Sequence, residues 1–199
     1  MTDDDLKKIL LDGDLEEFVD SIVLSKESTH FPTEKVCMVA EVLKAKFAIE
    51  IMPAQIYVVG SAKIGFGIFQ KRTREGSILP AFRPFRAESD IDLAVVCPKL
   101  FELIWDELST YANKMPSIPW DSGRLGDYMV YGWLRPDHFP RHVRLRRCDD
   151  WWDVFHGLSA DSRLGRRSIR AALYHSFEHL RRYQLRGINQ CRLSLEARR

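Results

Sequence analysis

The chain has 199 residues, 45% hydrophobic and 29% charged, with a formal net charge of +2 at pH 7. That size and balance imply one globular unit with a real core, and exclude a disordered or collagen-like chain. The four cysteines, Cys37, Cys97, Cys148 and Cys191, are scattered and form no C-x-x-C pair, which excludes a zinc ribbon and a disulfide framework. The opening MTDDDLKKIL has acids where a secretory leader has bases, and no run approaches the roughly 18 apolar residues of a membrane span. The expectation is a reduced, cytoplasmic protein with no membrane association.

The charge is unevenly placed. Residues 1–50 hold 12 acids against 6 Lys/Arg, whereas 163–199 hold 10 Arg and two acids, Glu178 and Glu196. The basic tail suits a polyanion such as RNA, with Arg166, Arg167, Arg170, Arg181 and Arg182 as phosphate-binding candidates. The acidic front offers a surface to a basic partner protein.

In chain order, apolar spacing predicts a helix over about 4–25, running through Gly13, and a second over about 33–49, with Pro32 just before it. QIYVVG reads as a buried strand ending at Gly60. Residues 61–69 hold a helical turn or two, and 70–88 read as a loop rich in Arg, Pro and Gly. DIDLAVV is a second strand, stopped by Pro98, and KLFELIWDELSTYANK is an amphipathic helix. DYMVYGWL and RHVRLR read as further strands, and a helix over about 164–188 closes the chain, with Trp151, Trp152 and Phe155 anchoring it to the core. The fold class is α/β (α+β), a small mixed sheet packed by N-terminal and C-terminal helices. Residues 1–50 supply the first helices, 51–150 the core with a basic insert at 70–88, and 151–199 a basic helical segment.

Asp90 and Asp92 open the second strand, two residues apart and so on one face. Adjacent carboxylates repel unless a proton or a cation lies between them. At neutral pH hard oxygen ligands suit Mg²⁺ or Mn²⁺, which bind through one or two carboxylates and substrate phosphates. A strand earlier, Gly60 and Ser61 supply a close backbone approach, N–H donors and a hydroxyl for phosphate. GSAKIGFG lacks the Lys-Ser/Thr of a P-loop, and no G-x-G-x-x-G is present. His175 and His179 are spaced i, i+4, but HSFEH lacks the zincin order and a third ligand nearby.

Gly60-Ser61 after YVV, followed by SDIDLAVV at 89–96, resembles the DNA polymerase β-like nucleotidyltransferase superfamily, in particular its minimal, toxin–antitoxin-type members. The resemblance covers about residues 50–115 and implies that superfamily's fold. It further implies a Mg²⁺- or Mn²⁺-dependent transfer of NMP from an NTP to a hydroxyl, with release of pyrophosphate. Gly60 and Ser61 would contact the β- and γ-phosphates, with Lys63 and Ser89 beside them, and Asp90 and Asp92 would bind metal. The acceptor would be RNA, such as a tRNA 3′ end, or a protein side chain. The chain is short for a cyclic-oligonucleotide synthase. Two departures stand out. Gly60 and Asp90 are 30 residues apart, farther than in compact members, and the insert between them carries Lys71, Arg72, Arg74, Arg83 and Arg86 among Phe69, Phe82 and Phe85, a composition suited to nucleic acid. The third carboxylate, which active members carry on a later neighbouring strand, has no obvious match. Asp137 is favoured over Asp127 for it. Without it the chain would be a catalytically silent nucleotide- or RNA-binding module, and an antitoxin-like interaction protein is the remaining alternative.

Overall fold

A computed structural model of the protein describes residues 2–72 and 76–197; Arg74 of the basic insert lies outside them. Helix α1, Asp3–Asp12, starts on a capping box in which Thr2 and Asp5 each accept the other's backbone N–H. The chain leaves the helical conformation at Gly13, and Asp14 restarts it by accepting the N–H groups of Glu16 and Glu17. The expected single helix over 4–25 is therefore α1, then α2, Leu15–Phe18, continued by a π-helical turn, Val19–Val23. Helix α3, Thr33–Phe47, ends at Ala48 and leads through a 3₁₀ turn to strand β1, Ile56–Val59.

Ser61–Ile64 forms the single turn α4. The insert is not the plain loop its composition suggests. It folds as two short antiparallel pairs, β2 (Phe66–Gly67) with β5 (Arg83–Pro84), and β3 (Lys71–Arg72) with β4 (Ile78–Leu79). Strand β6, Ile91–Val96, runs into α5, Pro98–Lys114, which has Pro at its first turn, as fits the missing proline N–H.

The second half departs most from the reading above. DYMVYGWL is mainly the end of helix α6, Ser122–Val130, capped by Asp121; only Trp133–Leu134, β7, is extended. RHVRLR is a 3₁₀ turn leading into α7, Arg146–Ala160. Trp151, fully buried, anchors that helix rather than the last one. The region expected to be one closing helix contains β8, Ile169–Tyr174, and then α8, Phe177–Glu196, whose N-cap Ser176 accepts the His179 N–H.

The main sheet runs β1-β6-β8-β7, with β6 and β8 parallel and both outer pairs antiparallel. The result is a mixed α/β architecture. Side chains alternate across the sheet. Val58, Leu93, Val95, Ala171 and Leu173 face one core shared with α3, α5 and α7. Val59, Ala94, Val96 and Tyr174 face a second core with α1, α2 and α8. The arginines of α8 hold that second layer in place: Arg181 bonds Asp20 at 2.7 and 2.9 Å and Glu16 at 2.9 Å, and Arg192 donates to the carbonyls of Leu10 and Gly13. Part of the acidic front is thus neutralised by the chain's own basic helix. Among the described residues no helix is long and apolar enough to cross a membrane.

Gly132 joins α6 to β7 at φ +65°, and its carbonyl accepts the His175 N–H. A Cβ there would lie 2.1 Å from the His179 ring, which is held by a 2.7 Å contact with Ser176 Oγ. Gly132→Ala should therefore destabilise the fold by about 2–4 kcal/mol, through backbone strain plus overlap. Denaturant unfolding of the two proteins measures it, and an unchanged midpoint would contradict this packing.

Candidate active site

The antiparallel register of β1 and β6 sets Val59 opposite Asp92, so the end of one strand meets the start of the other. Gly60 follows at φ 64°, ψ −148°, a conformation open essentially to glycine alone. A Cβ on Gly60 would lie 3.2 Å from Asp92 Oδ2. The carboxylate therefore lies over the bare backbone of Gly60, and Ser61 borders the same cavities as Asp92. Two regions of the sequence that are 30 residues apart meet at one point of the floor.

Asp92 is deeply set. Burial and the neighbouring Asp90 raise its carboxyl above the usual range, against the opposing pull of Arg135, Arg170 and Lys71. Among the described residues neither carboxylate accepts a hydrogen bond. Among the described residues Asp90 has two loose ion-pair neighbours, Arg170 at 3.7 Å and Lys71 at 3.8 Å. Arg170 comes from β8, where the parallel register places it directly beside Asp92. An under-compensated pair of hard oxygen donors fits a divalent cation that arrives on a polyphosphate. It does not make a closed cage: among the described residues no three His, Cys, Asp or Glu side chains come together to hold a metal.

Asp137, expected as the third carboxylate, does not gather with Asp90 and Asp92. It sits in the 3₁₀ turn Pro136–His138 after β7, and both its oxygens are taken by Arg135, at 2.9 Å from Nε and 2.6 Å from Nη2. Burial opposes its ionisation, and the two bonds from Arg135 more than offset that, holding the carboxyl below the usual range. Asp127 lines the cleft from α6 without joining the Asp90–Asp92 pair. Lys63 also points away. Its ammonium donates to the Ser25 carbonyl at 2.5 Å, the Ser25 hydroxyl at 2.8 Å and the Glu27 carbonyl, tying α4 to the chain before α3. Ser89 closes the turn ahead of β6, accepting the Arg86 N–H at 3.0 Å.

Two cavities open on either side of the Asp92 floor, and Ser61, Lys71 and Asp92 border both. The larger, about 850 Å³, lies between the sheet, α6 and α8. Its walls carry the rings of Tyr128, Trp133 and Tyr183 and the cations Arg124, Arg135 and Arg186. The smaller, about 480 Å³, is walled by the insert and includes Arg83, Arg86, Ser89 and Asp90. Arg83 is partly committed, bonding the carbonyls of Phe69 at 2.5 Å and Pro80 at 3.1 Å. Arg72 is exposed on β3 and borders neither cavity. Of the tail arginines, Arg181 and Arg182 are paired with acids of this chain, and Arg167 lies over the Phe85 ring.

The aromatic and cationic walls of the larger cavity were not foreseen from sequence. The available signal was the stretch GWLRPD, where an arginine sits two residues before an acid, beside a run alternating as SIRAALY does.

Because burial raises the Asp92 carboxyl, its ionised form opposes folding: the cost is absent at pH values below its unfolded range and present once pH exceeds the folded value. Asp92→Asn should therefore raise the melting temperature at pH 7, with the gain shrinking as pH falls and the wild-type carboxyl takes up its proton. A gain that is absent at pH 7, or that grows in acid, would contradict the burial of this charge. Compared with protein-family models, with curated proteins and with solved structures, the chain matches none.

Proposed function

We propose that the cleft binds a nucleoside triphosphate with Mg²⁺ or Mn²⁺, and that the chain is a nucleotidyltransferase with a polymerase β-like core. The observation that carries this reading is the meeting of Gly60-Ser61 with the Asp90–Asp92 pair at the floor between two cavities. Backbone and hydroxyl donors suit phosphate oxygens, and the carboxylate pair suits the cation that accompanies them. The aromatic wall of the larger cavity suits a base, and its volume lies in the roughly 300–1,000 Å³ of small-molecule sites.

In this reading Asp90 and Asp92 hold the divalent ion, which supplies charge neutralisation and a more acidic acceptor hydroxyl. Gly60 and Ser61 fix the β- and γ-phosphates, and the smaller cavity, walled by the basic insert, takes the acceptor. An acceptor hydroxyl held there forms the new P–O bond while the bond to pyrophosphate breaks, and the hydroxyl proton passes to solvent. The exposed cations Lys71, Arg72 and Arg86 favour an RNA acceptor over a neutral one.

A specific feature favours a second reading, a nucleotide- or RNA-binding module without transfer. The strand beside β6 carries no acid, and Arg170 stands in register with Asp92. The two readings separate in one experiment. The purified chain is incubated with each α-³²P NTP, Mg²⁺ or Mn²⁺, and either RNA or a protein lysate. Label moving to RNA, and falling by about a hundredfold or more in Asp90→Ala and Asp92→Ala, is the expected result. NTP binding without label in any acceptor would favour the silent module, and absence of NTP binding would sink the transferase and leave only the RNA-binding form of the second reading.

A further inference from the structure

The larger cavity contains a half-buried guanidinium whose geometry the transfer chemistry above does not use. Arg135 follows β7, and its side chain is about one-fifth exposed. Asp137 takes its Nε–H and one Nη2–H in a fork-to-fork pair. A guanidinium has five N–H donors. Three remain, and among the described residues nothing accepts from them. Arg135 and Asp92 line the same cavity, along with Ser61.

We propose that Arg135, oriented by Asp137, is the polyphosphate-recognising group of the larger cavity, so that the site selects ligands by their number of phosphates. This rests on the cleft being a nucleotide site, and it goes beyond the residues that reading employs. The other cations of the cavity fit the role less well. Arg83 gives donors to two backbone carbonyls, Arg124 lies over Tyr128 at 5.7 Å, and Arg186 lies over Tyr131 at 4.1 Å. Arg135 alone among these is held by a carboxylate, and it borders the same cavity as Asp92. A fixed planar fork loses little freedom on meeting a phosphate, whereas a surface lysine must be ordered first. Asp137 is then a positioning residue, which gives a reason for a half-buried acid that stands apart from the Asp90–Asp92 pair. The arrangement also accounts for the lack of a third acid here: Asp92 faces a guanidinium where a further carboxylate would only add repulsion.

The test is calorimetric titration of the full chain with ATP, ADP, AMP and inorganic tripolyphosphate, with Mg²⁺ and again with EDTA. Wild type is expected to bind ATP and tripolyphosphate at least about tenfold more tightly than AMP. Arg135→Gln combined with Asp137→Asn removes both charges together and leaves no unpaired ion. It should weaken ATP and tripolyphosphate by about tenfold to a hundredfold and AMP by less than about threefold. Arg135→Lys keeps the charge and loses the fork, and should give an intermediate loss. Circular dichroism checks that each variant is folded. Variants that keep the wild-type preference for ATP over AMP overturn the role of Arg135 while leaving the nucleotide site standing. Tripolyphosphate binding that depends on Arg135, with no binding of any nucleotide, would overturn the nucleotide reading alone. A wild-type chain that binds none of the four overturns both.

Discussion

The parallel pairing of β6 with β8 is the constraint on which the rest of the structure depends. Ile91–Val96 lies beside Ile169–Tyr174 with every residue in register, although more than 70 residues of sequence separate them. Parallel neighbours cannot be joined by a tight turn, so α5, α6, β7 and α7 all fall within the crossover. Three of those elements pack where the crossover leads them: α5 and α7 cover one face, and β7 closes the sheet on the far side of β8. The other face is left to α1, α2 and α8, pinned together by Arg181 and Arg192. The same register places Arg170 beside Asp92 and small residues, Ala94 and Ala172, next along the two strands.

Electrostatically, the site is a compromise between folding and binding. Two carboxylates at the mouth of the central strand repel, and one of them is deeply set. The chain answers with cations at ion-pair distance that do not form hydrogen bonds with the acids, Lys71 and Arg170 at Asp90, and with Arg135 in the field of Asp92. Loose partners are easily exchanged for a divalent ion, whereas tight bidentate ones would close the site. The tight pair is instead Arg135–Asp137, which fixes a donor and not an acid. Perturbed ionisable groups gathered in a cleft are a frequent mark of function, and structural ion pairs alone leave less charge unsatisfied.

Legibility in the sequence followed the strength of local signals. Strands β1 and β6 and helices α3 and α5 were readable because their apolar runs are long, uninterrupted and bounded by Gly60, Pro32 or Pro98. Gly60, Ser61, Asp90 and Asp92 were readable because each adjoins such a strand. Strand β8 was not: IRAALY contains Ala and Leu, good helix formers, and tertiary pairing on both edges overrides that preference. In DYMVYGWL the aromatic and β-branched residues suggested a strand, whereas Leu125, Tyr128 and Met129 share a helical face that packs on the core. The insert's strands, two residues each, are too short to leave a periodic trace. The bidentate pairing of Asp137 with Arg135 was not readable, because it is made in a short 3₁₀ turn that leaves no periodic trace in the sequence.

The most direct measurement of the central claim is a crystal structure of the chain with Mg²⁺ and a non-hydrolysable α,β-methylene nucleoside triphosphate. The account predicts phosphates at the Gly60-Ser61 backbone, the cation on Asp90 and Asp92, and the base among Tyr128, Trp133 and Tyr183. A nucleotide seated elsewhere, or Asp90 keeping Lys71 and Arg170 as its partners in a ligand-saturated crystal, would contradict it.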